Sequence, residues 1–326
     1  MPAAENVVAQ ANNVLTSTLP NRQKMVTAQW DNQHVMLFFM NRTGGMTPYE
    51  GGPSIQFPLA TVKSPTTATR AVNDPVPLTK KEFLKLAEYI PTTLTDAIVL
   101  NAFEMSENAG VQKVLDTWDE NQKNVLLSMQ DEFNKQALTG VGVGNDFGGL
   151  PLIVADTPTT GTVGGIDRSV AANSYYRNQV ISSVGSFAAG GIAALRDLDV
   201  LVNKGSTQAL TRFNITTSLI FNAYEATQES NVRYAGPLGA EAADAGFNVL
   251  EWKGQPVAYD LEVLPGHWYM INFDDFKFKV DPNFNFTLGP IIQSEAQFSQ
   301  SQKIAVYGQF CGLRPNNLGV LTGVTA

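Results

Sequence analysis

The chain has 326 residues and a formal charge of −8, from 22 basic and 30 acidic side chains; that balance excludes the basic footprint of a protein that neutralises nucleic-acid phosphates. Its single cysteine, Cys311, excludes an intrachain disulfide and any cysteine-based zinc cluster. Charged residues make up only 16%, below the usual share of about a quarter, so much of the surface is neutral and suits contact between like subunits, where few charges need desolvating.

Residues 1–43 are rich in Ala, Asn, Gln, Val and Thr with weak periodicity, and read as an extended arm that has room for a short helix and does not fold alone. The apolar run VMLFFM (35–40) is far too short to span a membrane. No basic segment followed by a cleavable apolar stretch opens the chain, so it is expected to work without crossing one. Residues 44–90 hold two β-rich stretches, SIQFPLATV and the run after Lys81, in which Ala87 and Tyr89 alternate with Leu84, Leu86 and Ile90. Between them SPTTATRAVNDPVP is too long for a tight turn, so 44–90 is expected to be a projecting two-stranded loop. Such a ribbon is marginal without a partner surface.

From residue 107 the period changes. Val111, Val114, Leu115, Trp118, Val125, Leu126, Met129, Phe133 and Leu138 recur at helical spacings, with Asp116, Asp119, Glu120, Asp131 and Glu132 opposite. This predicts a long amphipathic helix over 107–139, started by Ser106 or Asn108 and closed by Gly140. A glycine-rich loop follows, with a short strand expected at LPLIV. ISSVGSFAAGGIAALRDLDVLVNKG predicts a helix loosened at Gly190 and Gly191, and RFNITTSLIFNAYEATQ a strand running into a helix. After Gly246 strand signals dominate, and the whole reads as α+β.

Two glycine runs invite a nucleotide-binding reading. GVGVG (140–144) follows a predicted helix, whereas a dinucleotide fingerprint needs a strand before its glycines and a helix after them. GTVGGIDRS (161–169) lacks the Lys-Ser/Thr of a phosphate loop, and no lysine lies between Lys135 and Lys204. The simpler reading gives Gly164 and Gly165 the job of shaping a loop. Asp167 and Arg168 would then hold that loop, or a neighbouring chain, by charge-assisted hydrogen bonds. His34 and His267 sit beside aromatic residues in settings typical of packed or solvated histidines. The neighbours Asp274 and Asp275 would point to opposite faces of a strand. No catalytic, cofactor-binding or metal-binding residue is expected, and the chain reads as no enzyme; a nucleotide-dependent enzyme built on the glycine loops is the remote alternative.

The order of these features resembles the major capsid proteins of tailed bacteriophages, which share the Hong Kong ninety-seven-type capsid fold. The local resemblance lies in GGLPLIVADTPTTGTVGGIDRSVAANSYYRN (148–178), where Gly149-Leu150, Ile153-Val154, the run 164–168 and an aromatic pair before Arg177-Asn178 recur in the family's order. The pair here is Tyr175-Tyr176 where relatives often have two tryptophans, and the ending CGLRPNNLGVLTGV holds one arginine where relatives tend to have more. The resemblance implies an N-terminal arm (1–43), an extended β-hairpin loop over a neighbouring subunit (44–90) and a peripheral domain with the spine helix 107–139 and glycine-rich loop (91–189). It further implies an axial domain (190–265) and a return to the peripheral domain's sheet (266–326). Gly164, Gly165, Asp167, Arg168, Tyr175, Tyr176 and Arg177 would then be assembly contacts. The implied product is a virion head assembled in the host cytoplasm from pentamers and hexamers and filled with double-stranded DNA without sequence-specific binding. A separate scaffolding protein, a portal and a decoration protein would be its partners, no cofactor is implied, and an encapsulin-like compartment is the alternative shell.

Overall fold

The structure is a computed structural model that describes residues 34–49, 51–61, 67–75, 84–101, 103, 117–203, 212–228, 250–294 and 297–326. The expected arm before His34, most of the hairpin's turn and the first part of the expected spine helix, with its caps, lie outside the described residues.

In chain order, helix α1 (Val35–Thr43) leads to strands β1 (Met46–Pro48), β2 (Ile55–Ala60), β3 (Leu84–Tyr89) and β4 (Thr92–Asn101), then to the long helix α2 (Thr117–Thr139). The single turn α3 (Leu150–Ile153) precedes β5 (Thr162–Val163), β6 (Ile166–Asp167), β7 (Gln179–Ile181) and β8 (Gly185–Ser186). Helix α4 (Ile192–Val202), β9 (Arg212–Thr216) and α5 (Ser218–Gln228) come next, followed by β10 (Leu250–Trp252), β11 (Gln255–Tyr259), β12 (Trp268–Asn272) and β13 (Phe276–Val280). The chain continues through β14 (Thr287–Leu288), β15 (Ile292–Gln293), β16 (Ser299–Gly312), β17 (Gly319–Leu321) and β18 (Val324–Thr325). Contacts divide it into two compact units. One includes Thr93–Phe133 and Asn283–Val306, the other Gln33–Thr92, Asn134–Pro282 and Tyr307–Ala326. The boundaries expected near 190 and 266 both fall inside the second unit.

In the first unit β14 and β15 pair antiparallel with β16, Thr287 opposite Ala305 and Ile292 opposite Ser301. The ring of Phe286 meets Phe133 of α2 edge-on at 5.8 Å. Helical spacing explains which side of α2 is dry: Met129 and Phe133 are buried, while Lys123 and Asp131 are exposed.

The second unit is organised by a sheet in the order β10-β11-β9-β12-β17-β7. Its middle strand β9, RFNIT, is buried at every position, which requires cover on both faces. On one face Leu195, Leu198 and Val202 of α4 and Ile220, Phe221 and Tyr224 of α5 pack with Val257, Trp268 and Met270. Phe187 stacks on Trp268 at 5.6 Å. On the other, Phe213 lies between Phe39 at 4.1 Å and Phe273 at 5.9 Å. The chain enters α4 through a π-helical turn, Phe187–Gly191. A Cβ on Gly191 would lie 2.3 Å from Cδ2 of Phe187, so the loosening expected at the paired glycines serves the packing of that ring.

Three expectations need correction. Residues 35–43, read as part of an arm, are a helix whose Val35, Met36, Leu37, Phe39 and Met40 are buried. VMLFFM has no polar side to leave in water, and the Asn134 side chain ties the helix down by accepting from the Met36 amide at 3.1 Å. LPLIV is a helical turn rather than a strand, because Pro151 suits the first turn of a helix and the Ile153 amide closes on the Gly149 carbonyl at 3.2 Å. The segment 266–326 does not return to one sheet. WYMIN, buried throughout, joins β9 and β17, whereas FKFKV, buried on alternate residues, pairs with β16. Phe213→Ala should cost about 3–5 kcal/mol in urea unfolding of the isolated chain, with the midpoint rather than the slope changing.

Candidate assembly loop at the base of the hairpin

The run GTVGGIDRS forms a minimal hairpin. β5 and β6 pair Thr162 with Asp167 and Val163 with Ile166, leaving Gly164 and Gly165 as the two turn residues. Their φ angles of 55° and 71° are those of a type I′ turn, which matches strand twist and demands left-handed backbone at both positions. Gly164 has a second constraint. A Cβ there would stand 2.8 Å from Cε2 of Tyr89 and 3.1 Å from the Tyr176 hydroxyl.

Beyond the turn the chain is held by side chains that reach backbone carbonyls. Arg168 is 2% exposed. Its guanidinium donates to the carbonyls of Leu152 at 2.9 Å and Ile153 at 3.1 Å, and to Oδ1 of Asn178 at 3.3 Å. It thereby satisfies the end of α3, whose last carbonyls have no helical partner. Asn178 in turn donates to the Ala155 carbonyl at 2.8 Å. Arg177 donates through Nε to the Arg168 carbonyl at 2.8 Å, and through its terminal nitrogen to those of Ser169 and Val170 at 3.2 Å. Asp167 is exposed and accepts from the Ser169 amide at 2.8 Å; hydrogen bonding from the Ser169 side chain, and then from this amide, holds its carboxyl below the ordinary carboxylate range.

The base of the β2–β3 hairpin meets this loop. The Tyr176 hydroxyl donates to the Gly312 carbonyl at 2.6 Å, and Tyr89 donates to Tyr176 at 2.9 Å while accepting from the Gly312 amide at 3.2 Å. Burial holds both phenols above their ordinary value, and pushes the neighbouring Cys311 thiol up to about 12. Arg168 is shifted down, again by burial.

Gly164, Gly165, Asp167, Arg168, Tyr176 and Arg177 thus belong to one structure, with the half-buried Tyr175 ring 6.3 Å from that of Tyr176. Arg168 and Gly164 are buried within the chain; along 161–178 the exposed residues are Gly161, Thr162, Gly165, Asp167, Ser169–Ala172 and Ser174. Loss of Arg168 would strand the buried carbonyls of Leu152 and Ile153. Sequence pattern missed Tyr89, Asn173 and Gly312 as members, and gave Asn178 only as part of the family-like run. For Tyr89 the alternation along β3 was the only signal.

Neither glycine run has the strand–loop–helix setting of a nucleotide site: 140–144 follows α2, and Gly164-Gly165 joins two strands. Among the described residues no group of three or more His, Cys, Asp or Glu side chains could hold a metal ion. His267 faces Asp156 at 3.0 Å through Nε2 and the Pro265 carbonyl at 2.8 Å through Nδ1.

No family model matches the sequence, and no curated protein does. In three dimensions the chain is similar to one in the capsid asymmetric unit of cyanophage A-1(L), with a TM-score of 0.70 and 15% identity over 93% of this chain and 96% of that one. It has the Hong Kong ninety-seven-type capsid fold. A chain from the capsid of a native GTA particle matches this capsid fold with a TM-score of 0.61 and 11% identity, covering 99% of this chain and all (100%) of that one. One from the holo-SrpI encapsulin complex of Synechococcus elongatus PCC 7942 matches at 0.62 and 13%, over 99% and 96%.

Arg168→Ala should destabilise the subunit by about 2–4 kcal/mol in denaturant unfolding, since charge-assisted bonds to buried carbonyls are lost together. Tyr89, Tyr176 and Cys311 hold their protons more tightly when folded than unfolded. Their contribution is therefore intact below about pH 9 and lost as pH rises through and beyond 10–12. An unfolding midpoint that declines over that alkaline range, and less so in Tyr176→Phe, would report it.

Proposed function

We propose that this chain is the major subunit of an icosahedral phage head. The observation that carries the reading is the likeness to the cyanophage A-1(L) capsid chain over nearly the full length of both. A low density of charge and an exposed apolar hairpin face support it. Leu84, Leu86 and Ile90 are 63%, 53% and 72% exposed, opposite the buried Ala87 and Tyr89. A ribbon that spends three large apolar side chains on water is suited to lie on another subunit. Ile291, Ile292 and Phe298 of the first unit are exposed in the same way.

In this reading α2 is the spine of the peripheral domain, and the sheet with α4 and α5 belongs to the axial domain. Residues 44–90 lie over a neighbouring subunit, and the segment before α1 reaches another. Gly165, Asp167 and the adjoining 169–172 stretch supply contact surface at the loop, with Arg168, Tyr176 and Arg177 fixing its shape from within. Subunits form pentamers and hexamers in the host cytoplasm. They close with a separate scaffolding protein, a portal and a decoration protein, and the shell takes up double-stranded DNA without reading its sequence. An acidic subunit suits that use, because the packaged polymer must not stick. Assembly requires positioned surfaces rather than catalysis, so no enzymatic step is assigned.

The likeness to the encapsulin chain favours one second reading, a compartment that encloses protein cargo. Purified particles decide between them. Nuclease-protected double-stranded DNA supports the head, whereas a co-purifying enzyme without DNA supports the compartment. Small oligomers alone, with scaffolding protein supplied, would overturn both. Ile90→Glu should abolish particles in sedimentation while changing subunit stability by no more than about 0.5 kcal/mol, as expected for an exposed position.

A further inference from the structure

Residues 85, 87 and 89 share one face of β3, and that face is fastened to the 161–178 loop along its length. Lys85 Nζ donates to Oδ1 of Asn173 at 2.7 Å. Ala87 is fully buried. The Glu88 amide donates to the Gly164 carbonyl at 3.0 Å, and Tyr89 closes the ring of hydrogen bonds with Tyr176 and Gly312. Phe57 on the partner strand stacks on Tyr89 at 5.9 Å, so both strands of the ribbon are tied to the same point. The anchors are themselves held: Asn173 donates to the Asp167 carbonyl at 2.7 Å, and Arg168 binds the end of α3.

The far end differs. Residues 67–75 are exposed throughout, with local hydrogen bonds from the Ala71 amide to Asp74 and from Arg70 to the Pro75 carbonyl. A two-stranded ribbon has little stiffness of its own to add. Its direction is therefore decided where it is attached.

We propose that the 161–178 loop is a socket that sets the direction of the β2–β3 hairpin, with Lys85 and Tyr89 as positioning residues and Gly164 as the gap that admits the Tyr89 ring. The proposal rests on the reading of the hairpin as an assembly arm and deepens it. Socket geometry controls how uniformly subunits engage, and so the uniformity of the shell. The glycine motif is required because a side chain at 164 would displace the lock, quite apart from its turn geometry.

The test places spin labels on the isolated full chain at Ala71→Cys and Asp197→Cys. Cys311 is fully buried and its thiol stays protonated, so it does not compete for label. In Tyr89→Phe and in Lys85→Met the inter-label distance distribution should broaden, and the Glu88 amide should exchange about tenfold faster, the equivalent of losing one net hydrogen bond. Lys85→Met, altering only an exposed side chain, should do so with an unchanged unfolding midpoint. That separates positioning from stability. Under assembly conditions the same variants should give shells of mixed diameter, where the parent chain gives one. Unchanged distances in both variants would overturn the socket. Broadened distances with shells of a single diameter would overturn its role in assembly. If the parent chain forms no shells at all, the assembly reading fails, while the distances still decide the socket.

Discussion

A guanidinium taken out of water needs acceptors, and much of this chain's central loop follows from where the two terminal nitrogens of Arg168 find them. The carbonyls at the end of α3 cannot be satisfied within a helix of four residues. Arg168 takes two of them and Asn178 takes the next, which folds the chain from 150 to 178 back on itself. The type I′ turn lets so short a return keep strand pairing, because its twist matches that of the strands it joins. That turn then presents the Gly164 carbonyl to the Glu88 amide and leaves a gap where Tyr89 sits. A loop that reads like a phosphate cradle is in fact a piece of internal joinery.

What was legible in the sequence, and what was not, separates along a physical line. Periodicity exposed α2, the two arms of the hairpin, the loosened turn at Gly190-Gly191 and the strand-to-helix run at β9 and α5, because each signal is local. The failures have one cause. VMLFFM looks the same whether it belongs to a tail or to a core helix; only Phe213, far along the chain, decides the matter. LPLIV is apolar enough for a strand, and the proline that makes it helical is a weak local cue. The division of 266–326 among three sheets depends on which strands are covered on both faces, and pattern can hint at that without naming the partners.

The loop shows a similar limit. The chemical types in GTVGGIDRS suggested a loop held by its own side chains. They did not say that Arg168 would turn inward and Asp167 outward, since adjacent residues on a short strand face opposite ways and nothing local states which side is dry. Tyr176 was recognisable as an aromatic beside the motif, yet its partners Tyr89 and Gly312 come from opposite ends of the chain.

The strand order of the second unit's large sheet has a consequence for synthesis. Gly319–Leu321 is inserted between strands that begin at residues 179 and 268. Until those last residues have left the ribosome, two earlier strands stand with open edges, the sort of surface that recruits the wrong partner. Closure of the sheet is therefore a late, non-local event and a slow one. A truncated product that stops short of it keeps a sticky, unfinished edge.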